Sequence, residues 1–112
     1  MRLTPKINRL SDALAEIKDL NIFHYTRPQK TRGPFAVWQE DGEDTSLESD
    51  NHKGEQAITG TLDYFTKEEG DEMVDAIQEK LNEIETFRWE LESVQYEEET
   101  ELIHYEWRWS IA

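Results

Sequence analysis

The side chains in this chain that could do chemistry are three histidines, a scatter of carboxylates and one small group of cations. His24, His52 and His104 fall on separate segments. They lack the HExxH or i, i+4 spacing that sets two imidazoles on one helical face for zinc. His104 and Glu106 lie two apart and so share one strand face. Such polar faces are ordinarily just hydrated, and no metal is expected there. The acidic run over residues 40–55 invites a calcium reading. Neither Asp41-Gly42-Glu43-Asp44 nor the segment from Asp50 to Glu55 has the alternating oxygens, central glycine and terminal Glu of an EF-hand loop. Acid–base catalysis needs a carboxylate in an apolar setting that raises its pKa, and no Asp or Glu occupies an apolar-phase position. Ser11, Ser46, Ser49, Ser93 and Ser110 have no nucleophile-elbow context. There is no phosphate loop and no GxGxxG. The expectation is a protein that is not an enzyme, with no catalytic residue, metal or cofactor.

What remains is charge. Arg27, Lys30 and Arg32 form the one basic cluster, on a Pro/Gly-rich loop of an otherwise acidic chain. A contact between this loop in one subunit and acidic segments of the next would be head-to-tail, the kind that closes into rings. The candidate contact residues are therefore Arg27, Lys30 and Arg32, then Asp41, Glu43, Asp44, Glu48 and Asp50 in the acidic loop, and Glu97, Glu98 and Glu99 in a later turn.

The balance of 26 acidic against 12 basic residues leaves a net charge of −14. Such a surface repels phosphate, which argues against sequence-specific nucleic-acid binding and against anionic membranes. It favours solubility or a basic partner. With 112 residues the chain is expected to be one domain, with four Trp, four Tyr and four Phe supplying much of its core. The absence of cysteine excludes disulfides and thiolate chemistry and fits an intracellular setting. No apolar run approaches the ~20 residues that span a bilayer, and the first six residues lack a signal-peptide core.

The elements that must position these residues follow from periodicity. The organising stretch runs from Gln56 to Ile84. Ile58, Gly60, Leu62 and Tyr64 alternate as in a half-buried strand. Thr66-Lys67-Glu68-Glu69 has the form of a capping box. Met73, Val74, Ile77, Leu81 and Ile84 then make a helical apolar stripe. Upstream, Thr4 and Pro5 look like an N-cap and first turn. Ile7, Leu10, Leu14 and Ile17 continue a first amphipathic helix, expected to end near Leu20 and Asn21. A short strand is predicted over residues 22–26 and another from Phe35 onward. Residues 40–55 are expected to be a flexible acidic loop or the tip of a polar hairpin. Downstream, Phe87, Trp89 and Leu91 alternate, but Val94 and Tyr96 lie on the other parity, which predicts a bulge near Ser93. A charged turn over residues 97–101 precedes the cleanest alternation in the chain, Ile103, Tyr105, Trp107, Trp109 and Ile111. The order is α-β-β-β-α-β-β. This is an α+β two-layer sandwich: a mostly antiparallel sheet of four to five strands, with two helices on one face. Glu90, Glu92, His104, Glu106 and Arg108 are left on the other. The sharpest form of this expectation is that the stripe from Met73 to Ile84 packs on Ile58, Leu62 and Trp107.

Taken together, these features resemble the tail terminator (tail completion, or minor tail) proteins of long-tailed phages and prophages. The resemblance lies in the first helix, a strand ending in R-P before G-P-F-A-V-W, and a variable loop. It continues in I-T-G-T-L-D-Y-F-T-K with the helix DEMVDAIQEKLNEI, and in a final hairpin closing with HYEWRWSI. It implies a small α+β virion subunit that forms a hexameric ring, caps the tail tube and meets the head–tail connector protein. It also implies a location in the host cytoplasm during assembly and in the virion tail afterwards. Alternative readings are a head-closure or neck protein of the virion, and an acidic inhibitor that imitates DNA and binds a basic host protein.

Overall fold

The first helix, α1, spans Leu3–Ala15 and buries Leu10 and Leu14 along one side. It begins earlier than Thr4 and Pro5 suggest: Arg2 is at the cap position and makes no side-chain capping bond. It also ends at Ala15, well before Leu20. The Glu16 and Ile17 amides bond back to Ala13 and Leu14 in a tightened last turn. Asp19 then adopts a left-handed backbone, φ 65°, and turns the chain toward the sheet. Ile17 stays buried through this turn, so the apolar period outlasts the helix that sequence assigns to it. This computed structural model describes residues 2–27, 29, 32–44 and 56–112.

Five strands follow: β1 Ile22–His24, β2 Phe35–Glu43, β3 Ile58–Thr66, and, after the second helix α2 at Glu72–Glu83, β4 Phe87–Glu97 and β5 Leu102–Ile111. They form one sheet in the order β1-β2-β3-β5-β4. Among the described residues only the β1–β2 pair is parallel. The α+β class and the element order agree with the sequence. β1 is shorter than predicted because Tyr25 takes a positive φ of 74° and leaves the ladder after His24. The register of β4 on β5 shifts between Leu91 and Ser93, as the parity slip requires. A second bulge, which periodicity did not reveal, sits between Glu40 and Gly42 in β2. Among the described residues no helix is long and apolar enough to cross a membrane.

The second helix starts later than the capping-box reading places it. Thr66 is the buried last residue of β3, and its hydroxyl accepts the Glu68 amide at 3.1 Å. Gly70, at φ +66°, breaks the chain before the helix. Asp71 is the true N-cap: one carboxylate oxygen accepts the Met73 amide at 2.9 Å and the other accepts the Tyr64 hydroxyl at 2.6 Å. Burial pushes the Asp71 carboxyl up, but the hydrogen bonds from Tyr64, Met73 and Thr66 outweigh it and hold it below its ordinary value. Burial, reinforced by that carboxylate, pushes the Tyr64 phenol far above its own. The strand and the helix are therefore joined by a charge-assisted bond, and the expected capping box from Thr66 to Glu69 does not start the helix.

Both helices cover the same sheet face. Leu10, Leu14 and Ile17 meet Ile77, Leu81 and Ile84 above Ala36, Trp38, Ile58, Leu62, Tyr64, Trp107, Trp109 and Ile111 in one core. The stripe of α2 thus lies on Ile58, Leu62 and Trp107, and the Trp107 indole N–H donates to Gln78 at 3.0 Å. Gly60 is required by packing. A Cβ there would lie 2.2 Å from both the Gln39 carbonyl oxygen and the Trp109 ring.

Two stability predictions follow from this packing. Gly60→Ala should lower stability by about 3 kcal/mol, the top of the usual range for added volume in a packed core; a urea midpoint unchanged from wild type would contradict the packing. For Asp71, a folded pKa held below the unfolded ~3.9 gives stability that is present above that value and lost as pH falls through the folded one. Asp71→Asn, which still caps, should cost about 1.5–3 kcal/mol at neutral pH through the lost charged bond. In denaturant titrations the gap between the two proteins should close on acidification toward pH ~2; a gap independent of pH would show that the carboxylate charge is irrelevant.

Candidate docking surfaces

The hairpin of β4 and β5 reaches past the helical layer. Its first half is covered: Phe87 stacks on Trp109 at 5.9 Å, and the Trp89 indole donates to Asn82 of α2 at 2.9 Å. Beyond Trp89 the helix-side row of β4 is Leu91, Val94 and Tyr96, opposite Trp107, Tyr105 and Ile103. These three are 44%, 50% and 61% exposed, and they make up most of the large apolar side chains the described surface displays. The bulge keeps them on one face. Without the extra residue Glu92, Val94 and Tyr96 would point to the far side, since a one-residue slip reverses every side chain. β4 pairs only with β5, so among the described residues its other backbone edge is free. A long free edge with an apolar row is a place where another chain can add. Glu90, Glu92, Glu98 and Glu99 ring it with exposed negative charge.

The opposite edge is short and internally tied. His24 stacks on Trp38 with ring centres 3.8 Å apart. His24 Nε2 and the Tyr25 hydroxyl both donate to Glu40, at 2.7 and 2.6 Å. Burial pushes the Glu40 carboxyl up, and these bonds override it and hold it below its ordinary value. From here the chain enters the basic loop. Arg27 places its guanidinium 4.3 Å from the centre of the Phe35 ring, a cation–π contact, and Arg32 is exposed.

The candidate contact residues divide between the two ends of the sheet. Arg27 and Arg32 line an open cleft of about 440 Å³ together with Lys67, Thr100 and Leu102. The basic loop and the acidic turn carrying Glu98 and Glu99 therefore sit at the same end of one molecule. Glu97 lies over the polar face of the sheet, accepting from Thr100 at 3.2 Å and bonding His104 Nδ1 at 3.2 Å. At the other end, Asp41 takes a two-pronged bond from Arg108, at 2.6 and 3.2 Å, and a third from Thr59 at 3.0 Å. The Asp44 amide bonds the Ala57 carbonyl at 2.9 Å, and its carboxylate lies 3.4 Å from Ser110. Glu43 ends β2 opposite Ile58. Asp41 and Asp44 thus hold strands together, and a contact that recruits them must compete with those bonds. Lys30, Glu48 and Asp50 lie outside the described residues, as do His52 and most of the loop over residues 40–55.

The face away from the helices is less polar than its alternating charges suggest. Phe35 stacks on Phe65 at 4.7 Å, and Phe65 on His104 at 4.2 Å, across three strands. Phe35 is buried although it points away from the core. Sequence reasoning passed over this ladder and the bare row of β4 for one reason. Both depend on which strands are neighbours and on where the helices stop, and alternation encodes neither. Compared with models of known protein families and with curated protein sequences, the chain matches none.

Proposed function

We propose that this protein is a non-enzymatic structural subunit of a phage or prophage tail. In this reading it is a terminator that assembles as a ring on the tail tube and provides the surface that meets the head connector. The observation that carries the reading is the bare β4 row of Leu91, Val94 and Tyr96 on a free sheet edge, a surface fit for continuous contact with another subunit. The charge distribution supports a contact between unlike surfaces. Seven of the 12 basic residues fall within the first 32 positions, against three of the 26 acidic ones. Of these, Arg27, Lys30 and Arg32 follow β1 directly in sequence, whereas the hairpin at the other edge of the sheet is strongly acidic. Two unlike edges brought together repeat head to tail, and such repetition closes into a ring when the rotation permits. A net charge of −14 around a lumen repels DNA and lets it slide past. Assembly takes place in the host cytoplasm and the product resides in the virion tail.

A neck or head-closure subunit would use similar surfaces, and tail length separates the two. Deleting the gene of a terminator should give overlong tails in negative stain, whereas deleting a neck subunit should leave tail length normal and empty the heads. On the purified protein, Val94→Asp should convert rings to monomers in size-exclusion light scattering. Its stability should change by no more than about 0.5 kcal/mol, as for an exposed site. A wild type that stays monomeric at high concentration and in the presence of tail tubes would sink the proposal.

A further inference from the structure

Among the described residues, the polar side of the sheet carries one cluster of chemistry-bearing groups that ring assembly does not use. Asp63 of β3 and Glu106 of β5 are register partners, facing one another directly across the ladder. Like charges in that position repel. Neither carboxylate pairs with a lysine or arginine among the described residues, because Arg108, next along the same face, is engaged by Asp41. Beside them on the same strand face is His104, two residues from Glu106. Its Nε2 is 2.6 Å from Asp63 Oδ1, and its Nδ1 is 3.2 Å from Glu97 Oε2. One ligand atom from each of Asp63, His104 and Glu106 falls within 4.8 Å of the others, and all three residues are half-buried.

We propose that Asp63, His104 and Glu106 form a binding site for a single divalent transition-metal ion of the zinc class. Three features point the same way. The donor set is one imidazole and two carboxylates, which suits zinc and its neighbours better than the all-oxygen shells of calcium or magnesium. Zinc bonds of ~2.1 Å in a tetrahedron separate ligand atoms by about 3.4 Å, a spacing that small side-chain rotations reach from the present positions. His104 is also held from behind, since Glu97 grips Nδ1 and aims Nε2 at the carboxylate pair. Carboxylate–histidine pairs that orient metal ligands have this arrangement. Ion binding puts the metal where Nε2 now bonds Asp63, releases any proton on that nitrogen to solvent, and neutralises the Asp63–Glu106 repulsion.

Three protein ligands leave a position for water. The space is there: a cleft of about 340 Å³, whose lining includes Arg27, Asp63, Phe65, Glu97 and Leu102, opens beside the cluster. The ligands come from two paired strands, and the orienting Glu97 from the end of a third. A bound ion therefore links β3 and β5 and steadies the β4–β5 turn through Glu97. This site is independent of the proposed tail role, and either can fail without the other.

The test is calorimetric titration of tag-free, chelator-treated protein with Zn²⁺, Mn²⁺, Ca²⁺ and Mg²⁺ in turn. One Zn²⁺ per chain is expected, with a dissociation constant below about 10 μM and at least 100-fold preference over Ca²⁺ and Mg²⁺. His104→Gln and Asp63→Asn should each weaken binding more than 10-fold, and Glu97→Gln about 10-fold through lost orientation. Glu98→Gln, on the same acidic turn but outside the cluster, should bind as wild type. Circular dichroism checks that each variant is folded, and Glu106→Gln serves if His104→Gln is not. No Zn²⁺ binding at 100 μM would overturn the proposal. So would His104→Gln binding as tightly as wild type, or Ca²⁺ matching Zn²⁺, since both describe a diffuse acidic surface.

Discussion

The burial of Trp107 and Trp109 beneath two helices is the constraint on which the rest of this structure depends. Both residues lie on β5, in the interior of the sheet, and both are almost wholly buried. A buried aromatic removes about 150–250 Å² from water, worth roughly 4–6 kcal/mol. Against this, the Trp109 indole N–H is buried with no hydrogen-bond partner among the described residues, a cost of about 1–3 kcal/mol. Packing wins, and the neighbours accommodate it. Gly60 gives up its side chain so that the Trp109 ring can lie against β3, Phe87 and Trp38 border the same ring, and Gln78 satisfies the other indole.

That packing also decides which part of the sheet the helices leave uncovered. α2 is 12 residues long, about 18 Å at 1.5 Å per residue, whereas the molecule measures 48 Å along its longest axis. The helices cover the half of the hairpin that carries Phe87 and Trp89 and leave the half carrying Val94 and Tyr96 uncovered. On the other face, charges meet across strands because Asp63, Glu106 and Arg108 project there by the same alternation that drives the tryptophans inward. One side of β5 thus builds the core, and the other side assembles the charged cluster.

The sequence errors share a physical cause. Apolar spacing correctly marked the stripe of α2, yet the helix begins at Glu72 because Gly70 favours a left-handed turn and Asp71 is gripped by Tyr64, seven residues upstream. Local rules had ranked Thr66 first, since a capping box is read within four residues and the Tyr64 bond is tertiary. Likewise, Ile17 continued the period of α1 after its backbone had left the helix, because burial and not hydrogen bonding sets that period. Asp41 and Glu43, expected in a flexible acidic loop, belong instead to β2, which stays paired with β3 through Glu43, and Glu97 is the last residue of β4. That Asp41 would be spent on Arg108 depended on a bulge in β2 and on a strand pairing that the chain order does not reveal.

From its own pattern the chain determined two helices, five strands, their order, the buried face of each, and the slip near Ser93. Those features rest on residues a few positions apart, where backbone geometry alone relates one side chain to the next. The tertiary structure decided which strands became neighbours, that Phe35, Phe65 and His104 would stack, that Asp63 would confront Glu106, and that one row of β4 would stay bare. Each of these joins residues distant in the chain through a sheet order that many loop paths could satisfy. Alternation says which way a side chain points, and only the folded sheet says what it meets.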